Sequence, residues 1–286
     1  MLKISNAAEN NMQQKIVCDR NAAGNNIRKM GWDGMLLEVE NLTKKYPGNH
    51  GIEGLNLTVS EGEVVALLGP NGAGKTTAMK AMMGFFPVDT GRVSYKGISI
   101  TDNPQTTKNE IGMMIGDPSP YLYLTAYQYL KLYQKLYFDI TDEDINAVLA
   151  VTGLADRKDS RIKTFSTGMK QRIYLARILL TKPKLILLDE PFSGMDIEGR
   201  DQLVQLFKRI IEKYNTGMII SSHLIHDIEG ITSGVCIISS GKWLTTDTVE
   251  EIRGSYPTIE KYYLDTISKT KGRRNENEQA DYFFGG

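Results

Sequence analysis

The sequence predicts an α/β fold. Two apolar runs of strand length, Glu63 to Leu68 and Leu185 to Leu188, each end in a polar turn followed by residues of helical character. A third run, Met218 to Ser221, comes after an apolar stripe at Leu203, Leu206, Phe207, Ile210 and Ile211, whose spacing marks one face of a helix. Strand and helix in alternation is the pattern of a sheet covered by helices.

The elements follow in order. Residues 1–34 include six Asn and no apolar period, so they are expected to be a disordered extension, with Met35 opening the folded part. Leu36, Val39, Leu55, Leu57 and Val59 supply short β-like runs ahead of the first buried strand. The region of about 118–163 breaks the alternation with Tyr121, Tyr123, Tyr127, Tyr129, Tyr133 and Tyr137, then Thr141-Asp142-Glu143-Asp144, a start resembling a capping box. It is expected to be an inserted helical subdomain, its tyrosines serving either packing or a partner-facing patch. The polar stretch after Leu264 is expected to be a tail over 265–286.

Composition narrows the function. The 286 residues carry 34 Lys+Arg against 34 Asp+Glu. The 35–264 part is slightly acidic at −2, which argues against nucleic acid as a partner. Apolar stretches are strand-sized, well short of the ~18–20 residues that cross a bilayer, and no signal-peptide order opens the chain. A cytoplasmic address is expected, with any membrane role exerted through a partner. Cys18 and Cys236 have no spacing that suggests zinc or a disulfide.

Three segments carry chemistry. Gly69-Pro70-Asn71-Gly72-Ala73-Gly74-Lys75-Thr76-Thr77 satisfies G-x-x-x-x-G-K-[ST] between a strand and a helix. Its glycines let backbone N–H groups face phosphate oxygens, Lys75 supplies a point charge for the β and γ phosphates, and the Thr76 hydroxyl can ligate Mg²⁺. A nucleoside triphosphate site is expected. Asp189 and Glu190 close the apolar strand Leu185 to Leu188, which brings both carboxylates to the sheet edge of that loop. Asp189 can then hold the Mg²⁺ shell, and Glu190 can polarise an attacking water. In Phe165-Ser166-Thr167-Gly168-Met169-Lys170-Gln171-Arg172, Ser166 and Gly168 precede an expected helix from Met169 to Leu180, so a hydroxyl and a helix N-terminus can converge on an anion.

With these segments the chain, over about 35–264, resembles the ATP-binding subunits of ABC transporters. Residues 165–172 look like that family's signature motif, in the variant of drug, bacitracin and lantibiotic exporters. The resemblance implies a P-loop NTPase core with an N-terminal antiparallel β subdomain and an inserted helical subdomain. It also implies ATP and Mg²⁺ as cofactors, Lys75, Glu190 and His223 as catalytic residues, and a second ATP-binding subunit, identical or not, whose γ-phosphate is seated on Ser166 and Gly168. Ser193-Gly194-Met195-Asp196 resembles the D-loop that crosses the dimer interface. Ser221-Ser222-His223 resembles the segment whose histidine senses the γ-phosphate, and Tyr46 fits the aromatic stacked on adenine. Transmembrane permease subunits would complete the assembly and hold the chain at the inner face of the cell membrane. One position departs: Gly116 stands where the family places Gln or Glu, the side chain that links the metal to the membrane-facing subdomain, with Asp117 as a substitute. A second reading, an ATP-gated regulator of translation or DNA repair, would use the same dimer switch. Relatives of that kind generally carry paired nucleotide domains, coiled-coil insertions or basic surfaces, and none is visible here.

Overall fold

The structure is a computed structural model and describes residues 34–48, 50–102, 110–116, 121–137, 139–223 and 225–270. Residues 1–33, 117–120 and 271–286 lie outside these, and with them Cys18, Asp117 and most of both expected tails.

In chain order, β1 (Met35–Tyr46), β2 (His50–Ser60) and β3 (Val64–Leu68) lead through the glycine-rich turn into α1 (Lys75–Met82). β4 (Thr90–Tyr95), β5 (Ile98–Ser99) and β6 (Ile111–Met114) follow. α2 (Ala126–Gln134), α3 (Asp142–Val151) and α4 (Thr167–Leu179) precede β7 (Leu185–Asp189), α5 (Ile197–Tyr214) and β8 (Gly217–Ser222). β9 (Gly234–Ser239), β10 (Lys242–Thr248), α6 (Val249–Ser255) and a last helix, α7, over 259–270, come after them.

The strands form one sheet in the order β5-β4-β1-β2-β10-β9-β3-β8-β7-β6. β1 pairs antiparallel with β2 and β4, while β3, β6, β7 and β8 pair in parallel. Parallel strands of this kind are covered on both faces, and the side chains divide accordingly. Val64, Ala66 and Leu68 of β3, with Ile186 and Leu188 of β7, join the core that packs on α2 to α5. Val65 and Leu67, with Leu185 and Leu187, join the core shared with α1, β1 and β2. The stripe expected on α5 is present: Leu203, Leu206, Phe207 and Ile210 are buried, and Ile211 packs beside them. Cys236 is buried on β9, where desolvation pushes its thiol up to about 12.

Two boundaries differ from expectation. α4 starts at Thr167 rather than Met169, because Ser166 is its N-cap and accepts the Met169 N–H at 3.2 Å. The folded chain also continues past Leu264, since α7 runs to residue 270. Ile259, Tyr263 and Ile267 repeat every fourth residue and pack on the core, a stripe hidden by the polar residues between them. Of the six tyrosines, Tyr129 is buried edge-on to Tyr133 and Tyr174, whereas Tyr121 and Tyr123 are exposed.

The capping box at α3 is complete. Thr141 N–H donates to Asp144 Oδ2 at 3.0 Å, Asp144 N–H donates back to Thr141 Oγ1 at 3.2 Å, and Lys182 adds an ion pair at 3.0 Å. The Thr141 backbone N–H, then Lys182, lower the Asp144 carboxyl from 3.8 to about 2. A folded-state value below the unfolded one adds stability that is full above pH 3.8 and lost as pH falls through about 2. Denaturant titrations between pH 5 and 2 should therefore show wild type losing more stability on acidification than Asp144→Asn, with the two curves converging near the lower limit.

Candidate functional site

β3 ends at Leu68, and the next six residues turn back over the sheet edge into α1, which starts at Lys75. Gly74 sits at φ +101°, where a Cβ would stand 2.3 Å from the Gly51 carbonyl oxygen, so only glycine lets the turn close against β2. No side chain caps α1, which leaves its first N–H groups directed at a ligand. Lys75 is only 6% exposed. Its ammonium donates to the carbonyls of Gly69 at 2.7 Å and Pro70 at 3.3 Å, and lies 3.0 Å from Glu190 Oε1.

The carboxylates arrive from the neighbouring strand ends. Asp189 pairs in register with Ser221 across β7 and β8. Its Oδ2 accepts from the Thr76 hydroxyl and its Oδ1 from the Ser221 hydroxyl, both at 2.6 Å. Ser221 Oγ also accepts the Glu190 N–H at 2.8 Å, so one hydroxyl places both acidic residues. Glu190 adopts φ +48°, a left-handed conformation that costs an ordinary residue about 1–2 kcal/mol. Its Oε2 lies 2.8 Å from His223 Nδ1, just beyond β8. A cleft of about 260 Å³ gathers Asn71, Gly72, Ala73, Gly74, Lys75, Thr76 and Thr77 with Asp189, Glu190, His50 and Gly51.

Other expected residues fall into two further clefts. Tyr46, 40% exposed, ends β1 beside His50 and Gly51, which line the phosphate-side cleft as well. It stands edge-on to Phe86 at 6.0 Å, and the strand beside it is held by Asp89, which accepts from the Lys45 backbone at 2.7 Å. That bond and the Lys44 ammonium keep the Asp89 carboxyl below the usual carboxylate range. Ser166, Gly168 and Asp196 line a separate cleft of about 390 Å³ with Arg172 and Met195, and it shares no residue with the first. Both Ser166 and Asp196 are helix N-caps, Asp196 accepting the Gly199 N–H at 3.0 Å.

The donors fit the groups that the sequence implies. A threonine hydroxyl and a carboxylate in contact, both hard oxygen ligands, suit Mg²⁺, which takes one or two protein oxygens and keeps several waters. No cluster of three His, Cys, Asp or Glu that could hold another metal occurs among the described residues. The uncapped helix end and the Lys75 ammonium suit a polyphosphate.

The family model for ABC transporters matches residues 52–193. The ABC transporter ATP-binding protein YhcH of Bacillus subtilis is 36% identical over 216 residues, 76% of this chain and 71% of that protein. The chain belongs to the ABC transporter ATP-binding proteins. The bacitracin transport ATP-binding protein BcrA of Enterococcus faecalis is 34% identical, over 76% of this chain and 70% of its own. A solved ATP-binding subunit of an ABC transporter, 28% identical, superposes with a TM-score of 0.71 over 81% of this chain and 99% of that one.

Behind the cleft of this ABC ATP-binding protein lies Ser221, whose hold on both acidic residues the sequence did not signal. The sequence places it in a strand but cannot reveal that β8 lies beside β7. His50 was equally unsignalled, a lone histidine beside Gly51 on β2. Gly116, two residues past the end of β6, offers no side chain to the site. Ser221 is fully buried. Ser221→Ala removes a donor from Asp189 and the acceptor of Glu190 N–H, and should cost about 1–3 kcal/mol of unfolding free energy in a denaturant titration.

Proposed function

We propose that this chain is the ATP-binding and ATP-hydrolysing motor subunit of an exporter, which pairs with a second ATP-binding subunit on ATP and drives separate transmembrane permease subunits. The observation that carries the reading is the convergence of Lys75, Thr76, Asp189, Glu190 and His223 in one hydrogen-bonded set. The separate cleft holding Ser166, Gly168 and Asp196 supports a second chain, because its anion-binding groups do not face the chain's own phosphate loop. The exporter class rests on the variant signature at residues 165–172 and on the likeness to a bacitracin transport protein. No described helix is long and apolar enough to cross a membrane, which fits action through permease partners at the inner face of the cell membrane.

The chemistry follows from the chain's own groups. Thr76 and Asp189 would hold Mg²⁺, which would supply positive charge to offset the negative charge of the phosphates. Lys75 sits between two backbone carbonyls and Glu190, so an incoming phosphate competes with the Glu190 carboxylate for its ammonium. Released from Lys75, Glu190 keeps its contact with His223 and accepts a proton from the attacking water. His223 fixes the carboxylate's orientation through its Nδ1. Tyr46, at the neighbouring cleft, stacks on the base.

Glu190→Gln keeps the volume and the Ser221 contact but removes the base. Phosphate release should fall about 100-fold or more, while ATP still binds and light scattering shows an ATP-dependent dimer. Unchanged turnover in this variant would overturn the catalytic assignment. A chain that stays monomeric with ATP would overturn the paired arrangement.

A further inference from the structure

One side chain joins the signature cleft to the turn that carries His223. Arg200, in the first turn of α5, donates through Nε to the Met195 carbonyl at 3.2 Å. Its Nη1 donates to both carboxylate oxygens of Asp227, at 3.3 and 3.4 Å. The two side chains are 30% and 14% exposed, so solvent screens the pair less than an open surface bridge. Met195 lies against the signature segment: a Cβ on Gly168 would stand 3.1 Å from the Met195 methyl, so the loop before α5 packs tightly on that glycine. Asp227 closes the 3₁₀ turn Ile225–Asp227, whose Ile225 is buried, four residues after His223. His223 in turn contacts Glu190. Contacts thus run from Gly168 through Met195 and Arg200 to Asp227, which stands four residues along the chain from His223 and its Glu190 contact.

We propose that Arg200 is a positioning residue that ties the floor of the signature cleft to the His223 turn, so that an anion seated on Ser166 and Gly168 sets the His223–Glu190 contact of the same chain. This rests on the reading of the signature cleft as the seat for the γ-phosphate held by a second subunit. The planar guanidinium is suited to the task because its rigid fork holds Nε on the carbonyl and Nη1 on the carboxylate in one plane. The neighbouring bridge between His226 and Glu260, at 3.1 Å, is exposed and joins the same turn to α7 rather than to the loop before α5. It has no contact with Met195 and serves as the control.

The test compares full-length wild type with Arg200→Ala, Arg200→Lys, Asp227→Asn, the Arg200→Ala/Asp227→Asn pair and Glu260→Gln. Initial rates of phosphate release are measured against ATP concentration, with ADP affinity from equilibrium dialysis. Arg200→Ala and Asp227→Asn should each lower kcat about tenfold, the pair no further, with ADP affinity within about twofold of wild type. Cooperativity in ATP should fall from a Hill coefficient of about 2 toward about 1 in these variants. Arg200→Lys should fall between, and Glu260→Gln should match wild type. Additive losses, cooperativity unchanged in Arg200→Ala, or a parallel loss of ADP affinity would overturn the coupling; the near-isosteric Asp227→Asn keeps the test open if the alanine variant folds poorly. A wild type that shows no hydrolysis or no cooperativity would instead overturn the composite-site reading on which the proposal stands.

Discussion

The Asp189 carboxylate, gripped by two hydroxyls, is the interaction around which the site is arranged. A carboxylate at a strand end between packed neighbours is costly unless its oxygens are hydrogen-bonded, and here Thr76 and Ser221 satisfy one oxygen each at 2.6 Å. These donors come from different places in the sequence, one from the turn after β3 and one from β8. The bond to Thr76 spans 113 positions and the bond to Ser221 spans 32. Their meeting requires β3, β8 and β7 to lie side by side in one register, which the buried alternation of Val65/Leu67, Ile219 and Leu185/Leu187 enforces from below. A slip of one residue would turn these side chains to the opposite face and carry Asp189 away from both hydroxyls.

Ser221 extends that control to Glu190. By accepting the Glu190 N–H it holds a residue whose left-handed backbone is unfavourable by itself, and this turn sends the Glu190 side chain to Lys75 and His223. Local strain is tolerated where surrounding bonds over-determine it. Glu190 is therefore placed by the sheet rather than by its own conformational preference.

How far the sequence revealed this depends on the range of each contact. The phosphate loop was legible because its function lies in consecutive residues, Gly69 to Thr77, and a strand before and helix after are enough to orient them. Asp189 and Glu190 were legible for the same reason, as two carboxylates ending an apolar run. Ser221 was seen as a strand residue and as the start of the segment that ends in His223, but not as the hold on Asp189 and Glu190, since those two bonds depend on strand adjacency, which the sequence does not print. α7 was taken for tail beyond Leu264 because composition weighed against it, although Ile259, Tyr263 and Ile267 held the helical period. The tyrosines divided by position: Tyr129 turned inward on α2, while Tyr121 and Tyr123, before the helix, stayed exposed.

Gly116 gives the arrangement a last consequence. Two residues past the end of β6, it has no side chain to offer, and its neighbour Asp117 lies outside the described residues. The contact that does reach β6 is Arg177 of α4, whose guanidinium donates to the Met113 carbonyl at 3.3 Å and lies 5.3 Å from the Tyr133 ring of α2. α4 is also the helix that begins at the signature residues. β6 pairs directly with β7, whose end carries Asp189. Among the described residues, packed helices and paired strands thus join the helical region to the carboxylates, and a close-packed interior of this kind resists local displacement.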